Sequence, residues 1–557
     1  MKTNTTHLNN VLLFLENKTE ELENKIALGI KSHLGWQELT FKGVSILSQR
    51  LASHLISIGI EKGDRIAILS ESMPEWGATL FASVLAGGTT VPLDIKLTIY
   101  ELTSIVTSCQ PKVILTSVAY LETAEKLKEA VPSIEHIILI NESGVHKEYT
   151  NLYSLKDSPN KKWRHRSLNK TALIIYTSGT TGMPKGVEVS FKNMIAQVES
   201  LRGCFNLSTK DQILSILPMN HLFELTVGFL SFLNMGTSIY YSQSLKPKDL
   251  FNIIREKKIT FMIAVPAFLK LLRTSIEAEV ESMSKFGKFA FAFLYRLSKF
   301  IPFYRVRKLM FKRIHKKFGG KFKGFMSGGA PLDIEIYKFF DRLGFKIYEG
   351  YGLSEASPVV SMNVEGAIRP GSVGRPIPNV YVKIDEETGE LMVKGDNVMK
   401  GYYNQPDLTD EVITPDGWLH TGDIAKIDRD GFIFITGRIK NMIVLSGGKK
   451  VFPEEVESVL ALSDKFSECC VFGAVRKGGQ KDGTEDIAVV VVPKNEIVEG
   501  LNDDEVLALM RKEVKELSQR LSNFKRPVSV FVSRELLPRT ATSKIKRKEV
   551  KAKFSVI

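Results

Sequence analysis

An apolar run, Ala172 to Tyr176 (ALIIY), delivers the chain directly into Thr177 to Val187, TSGTTGMPKGV. Consecutive aliphatic residues that end in a glycine-rich turn read as a buried strand followed by a loop with unusual backbone angles. Gly179, Gly182 and Gly186 let backbone N–H groups converge as an anion nest. Thr177, Ser178, Thr180, Thr181 and Lys185 add donors suited to phosphate oxygens. The loop is therefore expected to hold a polyphosphate. It is not a P-loop, because Pro184 stands where the second glycine of that pattern belongs and Gly186 follows the lysine.

Three further apolar runs precede this loop: RIAIL at 65–69, KVILT at 112–116 and HIILI at 136–140. Amphipathic stretches separate them, which predicts buried parallel strands in an α/β fold. At 557 residues the chain exceeds one hydrophobic core, so two or more domains are expected. The segment KDSPNKKWRHRSLNK, 156–170, reads as an exposed connection ahead of the loop. Beyond Gly437 the pattern changes to a helix from Pro453, a strand IAVVVVP at 487–493 and a helix from about Asp503, a compact α+β set. The expected organisation is a large composite N-terminal domain of layered sheets and helices over 1–437, a hinge at 438–441, and a small mobile α+β domain over 442–557.

Downstream segments add chemistry. In SGGAPL, Ser327 to Leu332, the residues Gly329, Ala330 and Pro331 form a narrow wall for a flat base, and in EGYGLSE, Glu349 to Glu355, Tyr351 offers an aromatic face. Glu355 supplies a hard oxygen suited to Mg²⁺ on phosphates. The carboxylate of Asp423, which ends WLHTGD, can accept from two vicinal hydroxyls, and Arg438 in GRIKNMI adds a polar partner. Lys544 lies in PRTATSKIKR near the C-terminus.

Taken in order from about Trp36 to the C-terminus, these motifs resemble the adenylate-forming superfamily of acyl-CoA synthetases, peptide-synthetase adenylation domains and luciferases. The resemblance implies ATP with Mg²⁺. It assigns the phosphates to Thr177, Ser178, Gly179, Thr180, Thr181, Gly182 and Lys185. Adenine falls to Gly329, Ala330, Pro331, Glu349, Gly350, Tyr351, Gly352 and Ser354, ribose to Asp423 and Arg438, and the metal to Glu355. Lys544, Thr181 and His221 are the implied catalytic residues, Lys440 the hinge, and Ser446, Gly447 and Gly448 part of a thiol-delivery face. One departure stands out: Ser543 occupies the place where the family usually has glycine, at a penalty of about 1 kcal/mol if the backbone there takes positive φ.

The implied reaction is adenylation of a carboxylic acid followed by transfer to a thiol, either CoA or the phosphopantetheine of an acyl carrier protein. The stretch between Glu355 and Asp423 has no insertion of the kind that marks fatty-acyl-AMP ligases, which favours CoA. LPMNHLFELTVGFL, 217–230, and VPAFLKLL, 265–272, suit either an acyl pocket or ordinary core, and they resemble the long-chain fatty-acyl branch. A reading of another class is a non-catalytic protein of this fold that sits on membranes.

Net charge is +14, and Lys285 to Lys323 contributes thirteen Lys and Arg with no Asp or Glu. The near-neutral remainder and the absence of a recognised module argue against nucleic acid. The aromatic and cationic residues of 285–323 fit peripheral contact with an anionic membrane, a solvated helix pair, or attraction of anionic CoA or carrier protein. The start MKTNTTHLNN lacks the apolar core of an export signal, and FAFLY at 291–295 is too short to span a bilayer. Cys109, Cys204, Cys469 and Cys470 form no C-x-x-C pair, so small apolar residues in a cytoplasmic protein are expected.

Overall fold

The computed structural model describes residues 18–32, 35–141, 146–156, 163–177, 184–445, 449–475, 485–539 and 545–554. The chain forms two compact units, one reaching to Val382 and including Val393–Leu419, the other comprising Lys383–Met392 and the chain from His420. The expected hinge residues, 438–441, lie within the second unit.

An eight-stranded sheet of the first unit contains all four early apolar runs. Arg65–Leu69 lies parallel to Thr89–Pro92 on one side and to Val113–Thr116 on the other, and His136–Leu139 continues the parallel set. These strands carry aliphatic residues on both faces because both faces are covered: Ile66, Ala67 and Ile68 are fully buried. On one side, helices Ile99–Cys109 and Leu121–Ala130 press Leu102, Ile105 and Leu127 against Ala67, Leu69 and Ile114. A capping box starts the first of these helices, with the Thr98 hydroxyl accepting from the Glu101 N–H.

The nine-stranded sheet has parallel strands Gln212–Ser215, Phe261–Ala264, Gly324–Ser327 and Lys346–Gly352 at its centre. Edge-to-face packing among Phe318, Phe322, Phe325, Phe340 and Phe345 fills the core below it. In this sheet Ser327 pairs with Glu349, so two motifs that are distant in sequence become neighbours.

The second unit is built around Glu485–Pro493, antiparallel to Phe466–Val475 and parallel to Ser529–Val532. Helices Pro453–Leu460 and Asp503–Ser518 cover it, contributing Val456, Leu460, Val506 and Met510. The run of valines is thus a central strand buried on both faces. Cys109 and Cys470 are buried thiols, and desolvation pushes both up to about 12.

Candidate functional site

Thr171–Thr177 turns back into Lys185–Ser190 as an antiparallel pair, with Thr177 opposite Lys185. The glycine-rich segment thereby connects two paired strands. Ser178, Gly179, Thr180, Thr181 and Gly182 lie outside the described residues, as do Ser446, Gly447, Gly448 and Lys544. The strand bearing Lys185 pairs on its other edge with Gly401–Tyr402. This second pairing sets the Lys185 ammonium 5.1 Å from the centre of the Tyr402 ring, and the Tyr402 hydroxyl donates to Glu355 Oε1 at 2.9 Å. The backbone of Glu355 is held too, its carbonyl accepting from Met399 N–H at 2.8 Å. Lys185 and Glu355, 170 residues apart in the chain, are therefore joined through one tyrosine that sequence reasoning missed. Only its place in GYYNQPD, a turn-rich segment, could have hinted at it.

The expected base-binding wall is held from behind. Glu349 is buried, and its Oε1 accepts from the Leu332 N–H at 3.1 Å, which ties Gly329–Leu332 to strand Lys346–Gly352. Burial raises the Glu349 pKa to about 7, with the Leu332 hydrogen bond opposing. Gly350 and Tyr351 continue the strand, Gly352 ends it, and Ser354 opens a short turn to Ala356. At Gly352 a Cβ would lie 2.1 Å from the Pro358 carbonyl oxygen, so only glycine permits this backbone approach. Gly329 and Pro331 are exposed and Ala330 is half-buried, as a wall for a ligand requires.

Behind this wall lies an apolar cavity of about 70 Å³, between Gly328, Gly329 and Tyr351 on one side and Phe223 and Val227 on the other. A second cavity, of about 220 Å³, reaches Cys204, Lys323, Lys346 and Glu365 and shares Phe205, Met326 and Tyr348 with the first. These three side chains stand between the two spaces.

His221 leads into the same region. Its Nε2 is 4.0 Å from Asp94 Oδ2, and its carbonyl accepts from Leu225 N–H. The following stretch, Glu224–Ser231, is a π-helix, a widened helical form that the apolar pattern of LFELTVGFL did not reveal. Glu224 is fully buried, with Oε1 accepting from the Ser215 hydroxyl at 2.6 Å. Gly228 makes room for it, because a Cβ there would sit 2.1 Å from Glu224 Oε1. Burial pushes this carboxyl up to about 8, from an ordinary 4.5. The folded state thus holds a proton that the unfolded chain releases in that window. Its contribution to stability is fully present below about pH 4.5 and is lost as pH rises to about 8, with a slope of up to about 1.4 kcal/mol per pH unit. Glu224→Gln, which cannot ionise, is expected to flatten the dependence of melting temperature on pH across this window. Parallel curves for the variant and the parent would show that Glu224 does not titrate there.

In the second unit Asp423 and Arg438 are directly paired across antiparallel strands Leu419–Ile427 and Ile433–Arg438. Arg438 Nε lies 2.6 Å from Asp423 Oδ1, and the carboxylate is almost wholly buried. Glu390 fixes the strand residues ahead of it, accepting from Gly422 N–H at 2.6 Å and meeting His420 Nδ1 at 2.8 Å. Lys440 is exposed in the short turn Ile439–Asn441.

Among the described residues no group of three or more His, Cys, Asp and Glu could by itself hold a metal ion. Glu355 as a single carboxylate suits Mg²⁺, which keeps waters and shares its ligands with substrate phosphates.

A family model of AMP-binding enzymes matches residues 15–403, and a model of the AMP-binding enzyme C-terminal domain matches 440–557. The chain is 28% identical over 564 residues to the long-chain-fatty-acid–CoA ligase FadD15 of Mycobacterium bovis, covering 93% of this chain and 91% of that one. With the long-chain-fatty-acid–CoA ligase of Salmonella typhimurium it shares 28% over 561 residues, 92% and 90% of the two chains. Among solved structures, ATP-bound MatB from Rhodopseudomonas palustris matches with a TM-score of 0.80 at 25% identity, covering 98% of this chain and 99% of that one. O-succinylbenzoate CoA synthetase (MenE) from Bacillus subtilis, in complex with ATP and magnesium ion, shares the fold with a TM-score of 0.76 at 24% identity over 97% and 99% of the chains. The architecture is the adenylate-forming fold, and with the first family model spanning well over half its length, the chain belongs to the AMP-binding enzyme family.

Proposed function

We propose that this enzyme activates a long-chain fatty acid as its acyl adenylate and transfers the acyl group to CoA, releasing pyrophosphate and then AMP. The observation that carries the fatty-acid reading is the apolar cavity at Gly328, Gly329 and Tyr351, which Phe205, Met326 and Tyr348 separate from the larger and more polar space beyond. An alkyl chain entering past Phe223 would run into this cavity toward Phe205, gaining about 0.8 kcal/mol per buried methylene. The names of the relatives from Mycobacterium bovis and Salmonella typhimurium support the same substrate class and acceptor.

In the first half-reaction the fatty-acid carboxylate attacks the α-phosphorus of ATP and the bond to pyrophosphate breaks. Thr177 to Gly182 and Lys185 bind the departing phosphates, and Thr181 stays beside the reacting phosphate. Gly329, Ala330, Pro331 and Tyr351 orient the base, and Asp423 and Arg438 the ribose. Glu355 would hold Mg²⁺, which when bound neutralises charge on the phosphates. His221 lines the entrance for the carboxylate, and Lys544 lowers the repulsion between carboxylate and α-phosphate. In the second half-reaction a thiol attacks the acyl carbon and AMP departs. We assign Lys440 as the hinge between a body at 1–437 and a mobile domain at 442–557, with Ser446, Gly447 and Gly448 on the face that admits the thiol.

The test is fatty-acid-dependent exchange of labelled pyrophosphate into ATP from octanoate to stearate, followed by thioester assays with CoA and with a purified acyl carrier protein. Exchange with long chains and thioester formation with CoA are expected. Absence of exchange at every length would refute the ligase reading, and transfer to carrier protein alone would refute the choice of CoA. In the same assay Phe205→Ala is expected to shift the preferred length upward by about two methylenes, and an unchanged optimum would remove Phe205 from the acyl channel.

A further inference from the structure

We infer that helices Lys285–Ser298 and Tyr304–Met310, with the turn between them, form a docking surface for an anionic lipid bilayer. The first helix has two different apolar faces. Phe291, Leu294 and Tyr295 point inward and pack on the core, the Phe291 ring meeting Phe311 and the Tyr295 ring meeting Phe339. Phe286, Phe289, Phe293 and Leu297, at helical spacings of three and four, form a second stripe. These are not core residues: Phe286 is 80% exposed and Phe289 70% exposed. The stripe continues past the helix end through Phe300 and Phe303 to Leu309, which is 71% exposed.

A basic helix that is merely solvated turns polar side chains to water, whereas here the centre of the outward face is phenylalanine. The cations flank this centre. Lys288, Arg307, Lys317 and Lys323 are paired with Glu281, Asp341, Glu279 and Asp211. Lys285, Arg296, Arg305, Lys312 and Arg313 have no acidic partner among the described residues. Exposed phenylalanines bordered by uncompensated cations match the acyl–headgroup boundary of an anionic leaflet, where rings bury and charges meet lipid phosphates. No described helix is long and apolar enough to cross a membrane, so the contact is with one leaflet. The inference does not depend on the proposed reaction, because it concerns adsorption without substrate.

The experiment is co-flotation of the full chain with vesicles of phosphatidylcholine, or of phosphatidylcholine rich in phosphatidylglycerol, at low and high salt. Binding to the anionic vesicles that weakens with salt is expected. The triple variant Phe286→Ser, Phe289→Ser, Phe293→Ser and the triple variant Lys285→Glu, Arg296→Glu, Arg305→Glu are each expected to reduce partitioning by more than about tenfold. All six side chains are on the surface, so both variants should keep the parent melting temperature and its exchange activity with a soluble short-chain acid. Unchanged partitioning in either variant overturns the inference. So does displacement of the parent from the vesicles by excess duplex DNA that itself binds as tightly, because the patch would then be a general polyanion site.

Discussion

Lys544→Ala is expected to lower adenylate formation by about 10²- to 10³-fold while leaving thiolysis of supplied acyl adenylate within a few-fold of the parent. The asymmetry follows from charge. In the first half-reaction an anionic carboxylate approaches an anionic phosphate, and a single ammonium bridging the two offsets a repulsion that hydroxyls cannot. In the second, the acyl carbon is already activated and AMP leaves without that bridge. Pyrophosphate exchange measures the first step, and thioester release from synthetic acyl adenylate measures the second. Equal loss of both would mean that Lys544 supports the fold of the domain rather than the adenylation step. Ser543→Gly is a useful companion, because a gain in exchange would indicate that serine strains the backbone beside the lysine.

Asp423→Ala is expected to raise the KM for ATP by about 10²-fold, with a smaller effect on melting temperature. The carboxylate is almost wholly buried and paired to Arg438 at 2.6 Å, so it is fixed before any ribose arrives. Its loss removes an anionic hydrogen-bond acceptor but leaves the guanidinium partly exposed and able to be solvated. The converse change is different in kind. Arg438→Ala strips a buried carboxylate of its guanidinium, which typically costs about 3–5 kcal/mol, so this variant should lose stability first and ATP affinity second. Thermal melts and ATP titrations on both variants separate the two effects. An unchanged KM in Asp423→Ala would reassign this aspartate from ribose binding to the pairing of strands Leu419–Ile427 and Ile433–Arg438.

Chemistry that is local in sequence was legible in sequence. The runs RIAIL, KVILT, HIILI and ALIIY are strands because unbroken aliphatic runs fit only an element buried on both faces, and all four lie in one sheet. That a strand runs into the glycine-rich segment was legible for the same reason. The π-helix at Glu224–Ser231 was not, because an apolar stretch of that length reads as core helix or acyl pocket, and the seating of a buried carboxyl against Gly228 is a contact that only the fold shows. Glu390 was invisible for another reason: its role depends on the fold bringing His420 and the Gly422 N–H to its carboxylate, 30 and 32 residues further on.

The sequence by itself determined the fold family, the order of the motifs and the residue types able to meet phosphate, metal, base and sugar, because these depend on backbone freedom and side-chain chemistry at neighbouring positions. Tertiary structure alone decided that Lys185 and Glu355 meet through Tyr402, that Glu349 braces the wall from behind, and that Phe205 stands between two cavities. It also decided which phenylalanines of 285–298 face the core and which face outward. Each of these is a contact across strands or helices that the chain reaches only after long excursions. Such contacts follow from strand order and packing, which no local pattern encodes.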